Sequence, residues 1–418
     1  MAHIPYSRQS VSEADIGAVT AVLRSDYLTQ GAEVPRFEAR FAQRHEVAHA
    51  VAVSNATAGL HLACLALGVG PRSRVWTSPN SFLASANCAL YCGAAVDFVD
   101  IDPATRNLSV AALAAKLEAA AASGRLPNVL IPVDFAGLPS DLREMRALAD
   151  RYRFKILQDA SHATGASYLG RPVGSVWADA SVFSFHAVKI VTTAEGGMVT
   201  TQNAALADAL RLLRSHGMTR EASQMVSVPE GPWVYEQQTL GHNQRMTELQ
   251  AALGHSQLAR LDAMHAEREA LAERYDALLA HLPLIRPARL PDRSSAWHLY
   301  AVQLDAARSP RSRADVFAAL RAADIGVNVH YIPIHTQPFY QRLGFRPGDF
   351  PAAEALYAGA LSLPLYPGLS LADQDRVVAT LRQALAPRPP VQARPMRMDF
   401  ARKPQGQAKA VRSAVTTP

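Results

Sequence analysis

Lys189 stands between an apolar run, Val182-Phe183-Ser184-Phe185, and a turn of small residues, Thr192-Thr193-Ala194-Glu195-Gly196-Gly197. Thirty residues upstream, Asp159 closes a second apolar run, Ile156-Leu157-Gln158. An amine held in apolar surroundings gives up its proton more readily and becomes a nucleophile. Such a lysine can hold an aldehyde as a Schiff base, and a buried carboxylate can keep a proton on a pyridine nitrogen. These are the two groups that pyridoxal phosphate chemistry needs most. Once displaced by an incoming amine, the same lysine could carry a proton between substrate carbon and the cofactor's C4′. Taken singly, each residue has a plainer explanation: a surface lysine after a strand, or an aspartate capping the next helix.

Other residues fit around this pair. Ser54-Asn55-Ala56-Thr57-Ala58-Gly59 follows one apolar run and opens a helical one. Small residues there let backbone N–H groups approach a phosphate at the positive end of a helix, and Thr57 adds a hydroxyl. Ser184, five residues before Lys189, is a second candidate for that phosphate. Phe82 follows a strand end and could stack on a pyridine ring, although an isolated aromatic is more often core. His162, three residues after Asp159, could meet a ring oxygen; the plain alternative is a histidine on a helix surface. Asn243 and Arg245 precede a long helical pattern and could reach an anion or simply cap that helix.

The elements that must position these groups alternate along the chain. A helix start is predicted at Ser12-Glu13-Ala14-Asp15. Strands are predicted over 50–54, 74–78, 95–100, 129–135, 154–159 and 180–185. Helices are predicted between them over 58–67, 81–91, 110–122 and 140–152. Such alternation predicts an α/β fold, a mostly parallel sheet covered on both faces. Thr247-Glu248-Leu249-Gln250 fits a capping box that opens one long helix. The expected organisation is a large domain over 1–246, a connecting helix over 247–281, and a small α/β domain over 282–386 with a strand at 298–304. Residues 387–418, rich in Pro, Gln, Ala and Arg with no apolar period, are expected to be a disordered basic tail.

Composition narrows the function further. The chain has 418 residues and a net charge of +6. Seven basic residues and one acid fall from Pro387 onward; taking these from 42 and 36 leaves a body with 35 of each. A neutral body argues against a nucleic-acid binder. No apolar stretch is long enough to span a bilayer and the N-terminus has no apolar signal core, so a cytoplasmic protein is expected. Cys88 and Cys92 lie four apart, and His61 neighbours Cys64, but a metal site needs more ligands. Buried thiols and no metal are expected.

With these residues assembled, the chain resembles the DegT/DnrJ/EryC1/StrS family of sugar-nucleotide aminotransferases over residues 4–384. Within it, the resemblance is greatest to the branch serving pseudaminic acid biosynthesis. The stretches that carry it are 183–197, 213–218, 241–245 and 329–334, with Tyr6-Ser7-Arg8-Gln9 and residues 26–31. The resemblance implies the fold-type I architecture of pyridoxal phosphate transferases and a homodimer with shared active sites. It implies Lys189 as the Schiff-base lysine, Asp159 on the pyridine nitrogen and His162 near the ring oxygen. Ala56, Thr57, Ala58 and Ser184 would surround the phosphate, with Asn243 supplied by the partner subunit. Tyr6, Asp26, Tyr27, Leu28, Thr29, His330, Tyr331, Ile332 and Pro333 match positions that line the nucleotide-sugar pocket.

The implied reaction moves the amino group of L-glutamate to C4 of UDP-2-acetamido-2,6-dideoxy-β-L-arabino-hexos-4-ulose. The alternatives are the same chemistry on another 4-keto-6-deoxy sugar nucleotide, with a perosamine- or bacillosamine-type product, and a catalytically silent, cofactor-binding regulatory protein. The chain departs from the family at Gln158, where an acid is common, and at Gln244, where an aromatic often stands.

Overall fold

The computed structural model describes residues 2–387, so the basic tail lies outside the described residues. Seven strands form the central sheet: β1 His49–Val53, β2 Arg74–Thr77, β3 Ala95–Phe98, β4 Val129–Ile131, β5 Lys155–Asp159, β6 Ala180–Ser184 and β7 Gly197–Thr201. Their order is β1-β7-β6-β5-β4-β2-β3. The pairs from β6 to β3 are parallel, whereas β7 runs antiparallel to both β6 and β1. The mostly parallel sheet expected of the α/β alternation is present, and the fold is that of the fold-type I pyridoxal phosphate transferases.

Both faces are covered because successive side chains on a strand point opposite ways. Val51 and Val53 join Val75, Val182 and Val199 beneath α3 (Ala56–Ala66), α4 (Ala84–Tyr91) and α7 (Ala204–Leu213). Ala50 and Ala52 face the other way, with Phe183 and Met198, onto Phe37 and Phe41 of α2 (Glu33–Arg44). Further along that face, Trp76, Leu130 and Ile156 meet α5 (Val110–Ala122) and α6 (Leu142–Tyr152). A smaller antiparallel sheet of β8 (Leu284–Ile285), β9 (Tyr300–Leu304) and β10 (Ala360–Leu363) has its own apolar cluster around Tyr275, Tyr300, Leu320 and Val377.

Helix starts follow the capping pattern. Ser12 caps α1 (Glu13–Leu23) in a reciprocal box with Asp15, and Thr247 does the same with Gln250 for α8 (Glu248–Leu258). The expected single helix over 247–281 is broken. A second helix, α9 (Leu261–Leu278), begins after Arg260, whose φ of −103° and ψ of 4° leave the helical region. Arg260 Nη2 donates to Asp15 Oδ2 at 2.6 Å and to the Ser10 carbonyl at 2.9 Å. Ser256 and Gln257 also donate to Asp15, at 2.6 and 2.8 Å. The buried carboxylate of α1 is thus paired and satisfied at the break, and three residues of the turn are committed to it. Several predicted strands are also shorter than expected: β3 ends at Phe98, β4 ends at Ile131, before Pro132, and β9 starts at Tyr300.

Candidate active site

A cavity of about 780 Å³ opens at the carboxyl ends of β5 and β6, where parallel sheets place their ligand crevices. It is lined by Ala56, Thr57, Phe82, Asp159, His162, Ser184 and Lys189, together with Tyr6, His330 and Tyr331. These residues lie up to 325 positions apart in the chain, and the fold brings them into one space.

Lys189 sits in a loop that leaves β6 and returns as β7. The loop is closed at its base by Phe185 N–H to Gly196 O (2.9 Å) and Thr193 N–H to Phe185 O (2.8 Å). Burial pushes the Lys189 ammonium down to about 8, with Asp159 pulling part of the way back. Its amine is therefore available near neutral pH. Asp159 ends β5, and Ser161 N–H donates to its Oδ1 at 3.1 Å. Ser85, in the first turn of α4, donates to Oδ2 at 2.6 Å, and Ser81 Oγ lies 2.6 Å from Ser85 Oγ. The plain reading of Asp159 as a helix cap does not hold, because no helix follows it. Its second neighbour in the core is the amide Gln158, which donates to Asp134 Oδ2 (2.7 Å) and accepts from Ser181 Oγ (2.8 Å).

The turn before α3 is built to come close. Asn55 caps the helix by accepting from Ala58 N–H at 2.8 Å, which leaves the first amides of the helix facing the cavity. Ser54 N–H donates to the Gln244 carbonyl at 2.9 Å. Underneath lies Gly197, where a Cβ would stand 2.7 Å from the carbonyl carbon of Asn55 and 2.8 Å from the nitrogen of Ala56. Only glycine lets β7 pass this near the turn.

The opposite wall is aromatic. His162 is buried rather than on a helix surface; Ala136 N–H donates to its Nδ1 at 3.2 Å, and its Nε2 lies 3.1 Å from Tyr331 Oη. Its ring is 4.4 Å from that of His298, which also lines the cavity and whose Nδ1 is buried without a partner. His330 bonds Ser362 Oγ at 2.8 Å and packs 5.9 Å from Tyr6. Burial, then the charge of Lys189, keeps His162 well below its ordinary range and His330 at about 4. The histidines are neutral at physiological pH.

Several expected residues are not brought into this cavity. Asp26, Tyr27, Leu28 and Thr29 are exposed, and Tyr27 borders a separate groove between α1, α2 and α8. Ile332 is exposed, Pro333 is buried, and neither lines the cavity. Ala58 is buried with its N–H given to Asn55. Asn243 is exposed and pairs with Ser215. Conversely, Ser81, Ser85, His298 and Asn328 belong to the site or its support and carried no signal in the sequence. The three cysteines are free and buried, and no group of metal-ligating side chains occurs among the described residues.

An amine and a carboxylate across one cavity, beside a helix N-terminus backed by glycine and an unsatisfied buried imidazole, fit pyridoxal phosphate. Fold and site together define a pyridoxal phosphate-dependent aminotransferase. Residues 9–382 match the DegT/DnrJ/EryC1/StrS aminotransferase family, and the chain belongs to that family. It is 41% identical over 382 residues to the spore coat polysaccharide biosynthesis protein SpsC of Bacillus subtilis (strain 168), covering 91% of this chain and 96% of SpsC. It superposes with a TM-score of 0.84 on Helicobacter pylori PseC, an aminotransferase involved in pseudaminic acid biosynthesis, at 30% identity over 92% of this chain and 99% of that one. The PLP form of Spr1654 from Streptococcus pneumoniae gives a TM-score of 0.83 at 29% identity, over 92% and 98% of the two chains.

Proposed function

We propose that the chain moves the amino group of L-glutamate to C4 of UDP-2-acetamido-2,6-dideoxy-β-L-arabino-hexos-4-ulose. The product is UDP-4-amino-4,6-dideoxy-N-acetyl-β-L-altrosamine, for pseudaminic acid synthesis. The observation that carries the reading is the meeting of Lys189 and Asp159 in a cavity walled by Tyr6 and His330, together with the likeness to PseC. A second reading, another nucleotide-linked 4-keto-6-deoxy sugar of the perosamine or bacillosamine type, is favoured by the higher identity to SpsC.

Pyridoxal phosphate, when bound, supplies an aldehyde that accepts the amino group and a ring that withdraws electrons from the reacting carbon. With that group bound, Lys189 would hold its aldehyde and, once freed by an incoming amine, would carry a proton between the reacting carbons. Asp159, steadied by Ser85 and Ser161 N–H, holds the proton on the ring nitrogen. Ala56, Thr57 and Ser184 would hold the phosphate, Phe82 and His162 would stand at the ring, and Ala58, whose N–H is given to Asn55, would support the turn from behind. Tyr6, His330 and Tyr331, which line the cavity, would receive the sugar.

In this reading the protein is a cytoplasmic homodimer, with Asn243 and the Asp26 to Thr29 stretch serving the partner's site. The exposed apolar residues Ile16, Leu23, Tyr27, Leu28, Trp233 and Leu240 support such an interface. The division into a large domain (1–246) and a small one (282–386) belongs to the same reading, supported by two sheets with separate apolar clusters. No described helix is long and apolar enough to cross a membrane.

The test is spectroscopic. Purified holoprotein is converted with L-glutamate until its visible absorbance changes, then offered UDP-4-keto sugars one at a time. Return of the band with the L-arabino isomer is the expected result. Return only with the D-xylo isomer transfers the assignment to the second reading. No change with glutamate would sink the choice of amino donor.

A further inference from the structure

The hydrogen bonds around His162 run in one direction only. Ala136 N–H is a donor that cannot act otherwise, and it points at Nδ1 of His162 from 3.2 Å. The amide is fixed there, because the 135–137 turn packs on the backbone of the histidine wall. A Cβ at Gly137 would lie 2.9 Å from Trp297 N, 3.0 Å from His162 O and 3.1 Å from His298 N. Nδ1 is therefore an acceptor and carries no proton. The ring is neutral, since burial and the nearby Lys189 oppose a second proton. Its single proton is then on Nε2, which faces Tyr331 Oη at 3.1 Å. The opposite tautomer would set two N–H groups against each other at Ala136.

It follows that Tyr331 accepts from His162 and must send its own proton elsewhere. Tyr331 lines the cavity, and burial followed by the nearby Asp159 keeps it a phenol. We propose that the Tyr331 hydroxyl is the hydrogen-bond donor this wall presents to an oxygen of the bound ligand, and that His162 is a positioning residue acting through it. Both nitrogens of His162 are already committed, so it has nothing further to offer a ligand directly. The acceptor is a ligand oxygen: either the ring oxygen of pyridoxal phosphate or a carbonyl or carboxylate oxygen of a substrate. The inference rests on the cofactor site, and its first test needs no sugar, so an error in the sugar would leave it standing.

The experiment measures two things on full-length Tyr331→Phe before any substrate is added: the dissociation constant for pyridoxal phosphate and the visible absorbance maximum. It then measures KM for glutamate and for the keto sugar. Phenylalanine keeps the ring, so the fold is retained. If the acceptor is the ring oxygen, cofactor affinity falls about tenfold and the maximum shifts. If it belongs to a substrate, both stay put and one KM rises about tenfold. An unshifted maximum, with the dissociation constant and both KM values within twofold of the unsubstituted protein, would overturn the proposal. His162→Asn is then made alone and in the Tyr331→Phe background. It is expected to weaken the same constant alone and to cost nothing further in that background; additive losses would overturn the positioning role. Should His162→Asn fail to fold, Tyr331→Phe alone still decides whether the donor exists.

Discussion

The environment of Lys189 sets the pH at which its amine becomes free. Burial holds its ammonium down to about 8, against an ordinary value of 10.5. The rate at which cofactor-free protein takes up pyridoxal phosphate should climb from pH 7 and level off above about 8; a midpoint near 10.5 would show that the amine is not desolvated. The same depression fixes a sign for stability. Between about 8 and 10.5 the unfolded chain holds a proton that the folded chain has lost, so this residue makes the cofactor-free protein more stable as pH rises through that window. Lys189→Ala should lose turnover by on the order of 10³-fold or more while still folding, as measured by steady-state kinetics and circular dichroism. Asp159→Ala should both weaken the cofactor and lose most of the rate; near-normal kinetics would remove it from its role. These two residues were legible because each ends an apolar run that had to be a strand. Ser85 and His298 were not, because their value lies in neighbours far away in sequence: Ser85 reaches Asp159 across 74 positions.

At the scale of elements, the end of α2 carries a pH sensor of its own. His45 caps the helix, stacks on Phe41 at 4.1 Å, and its Nδ1 bonds the Val173 carbonyl at 2.8 Å. Nδ1 is the donor there, and Nε2 is buried without a partner. Burial, with Arg44 beside it, holds His45 at about 4 against 6.5. Between these values the unfolded chain binds a proton that the folded chain refuses, so stability rises with pH across the window and acid erodes it. His45→Phe should melt with a shallower loss between pH 6.5 and 4.5, by up to about 1.4 kcal/mol per pH unit. At neutral pH it should be less stable by about 1 kcal/mol for the lost bond to Val173. Parallel pH profiles for the two proteins would contradict a neutral buried imidazole. The capping boxes at Ser12 and Thr247 were readable because their partners lie three residues on. The break at Arg260 was not, because the residue that demands it, Asp15, is 245 positions away. Nor was α2 or β7 anticipated; β7 opens on glycine, and its strand partners run the other way.

At the scale of the molecule, Asn243 is exposed on its own chain and lies outside its own cavity. If it serves a second copy, mixing Lys189→Ala with Asn243→Ala should restore activity above the sum of the two separate variants. Each mixed dimer would hold one site with an intact lysine and an intact partner asparagine. No gain on mixing, with dimers present by sedimentation, would place Asn243 outside the site. The closeness of Gly197 to Asn55 has a further consequence. The loop bearing the amine joins the two limbs of one hairpin, β6 and β7, which are paired along their length, and β7 is the limb that lies against the turn at Asn55. Such a hairpin acts as a caliper. Its jaws are the amine loop and the turn at Asn55 that rests against Gly197, and one continuous hairpin carries the first and backs the second, so their spacing is set by backbone pairing before any ligand arrives.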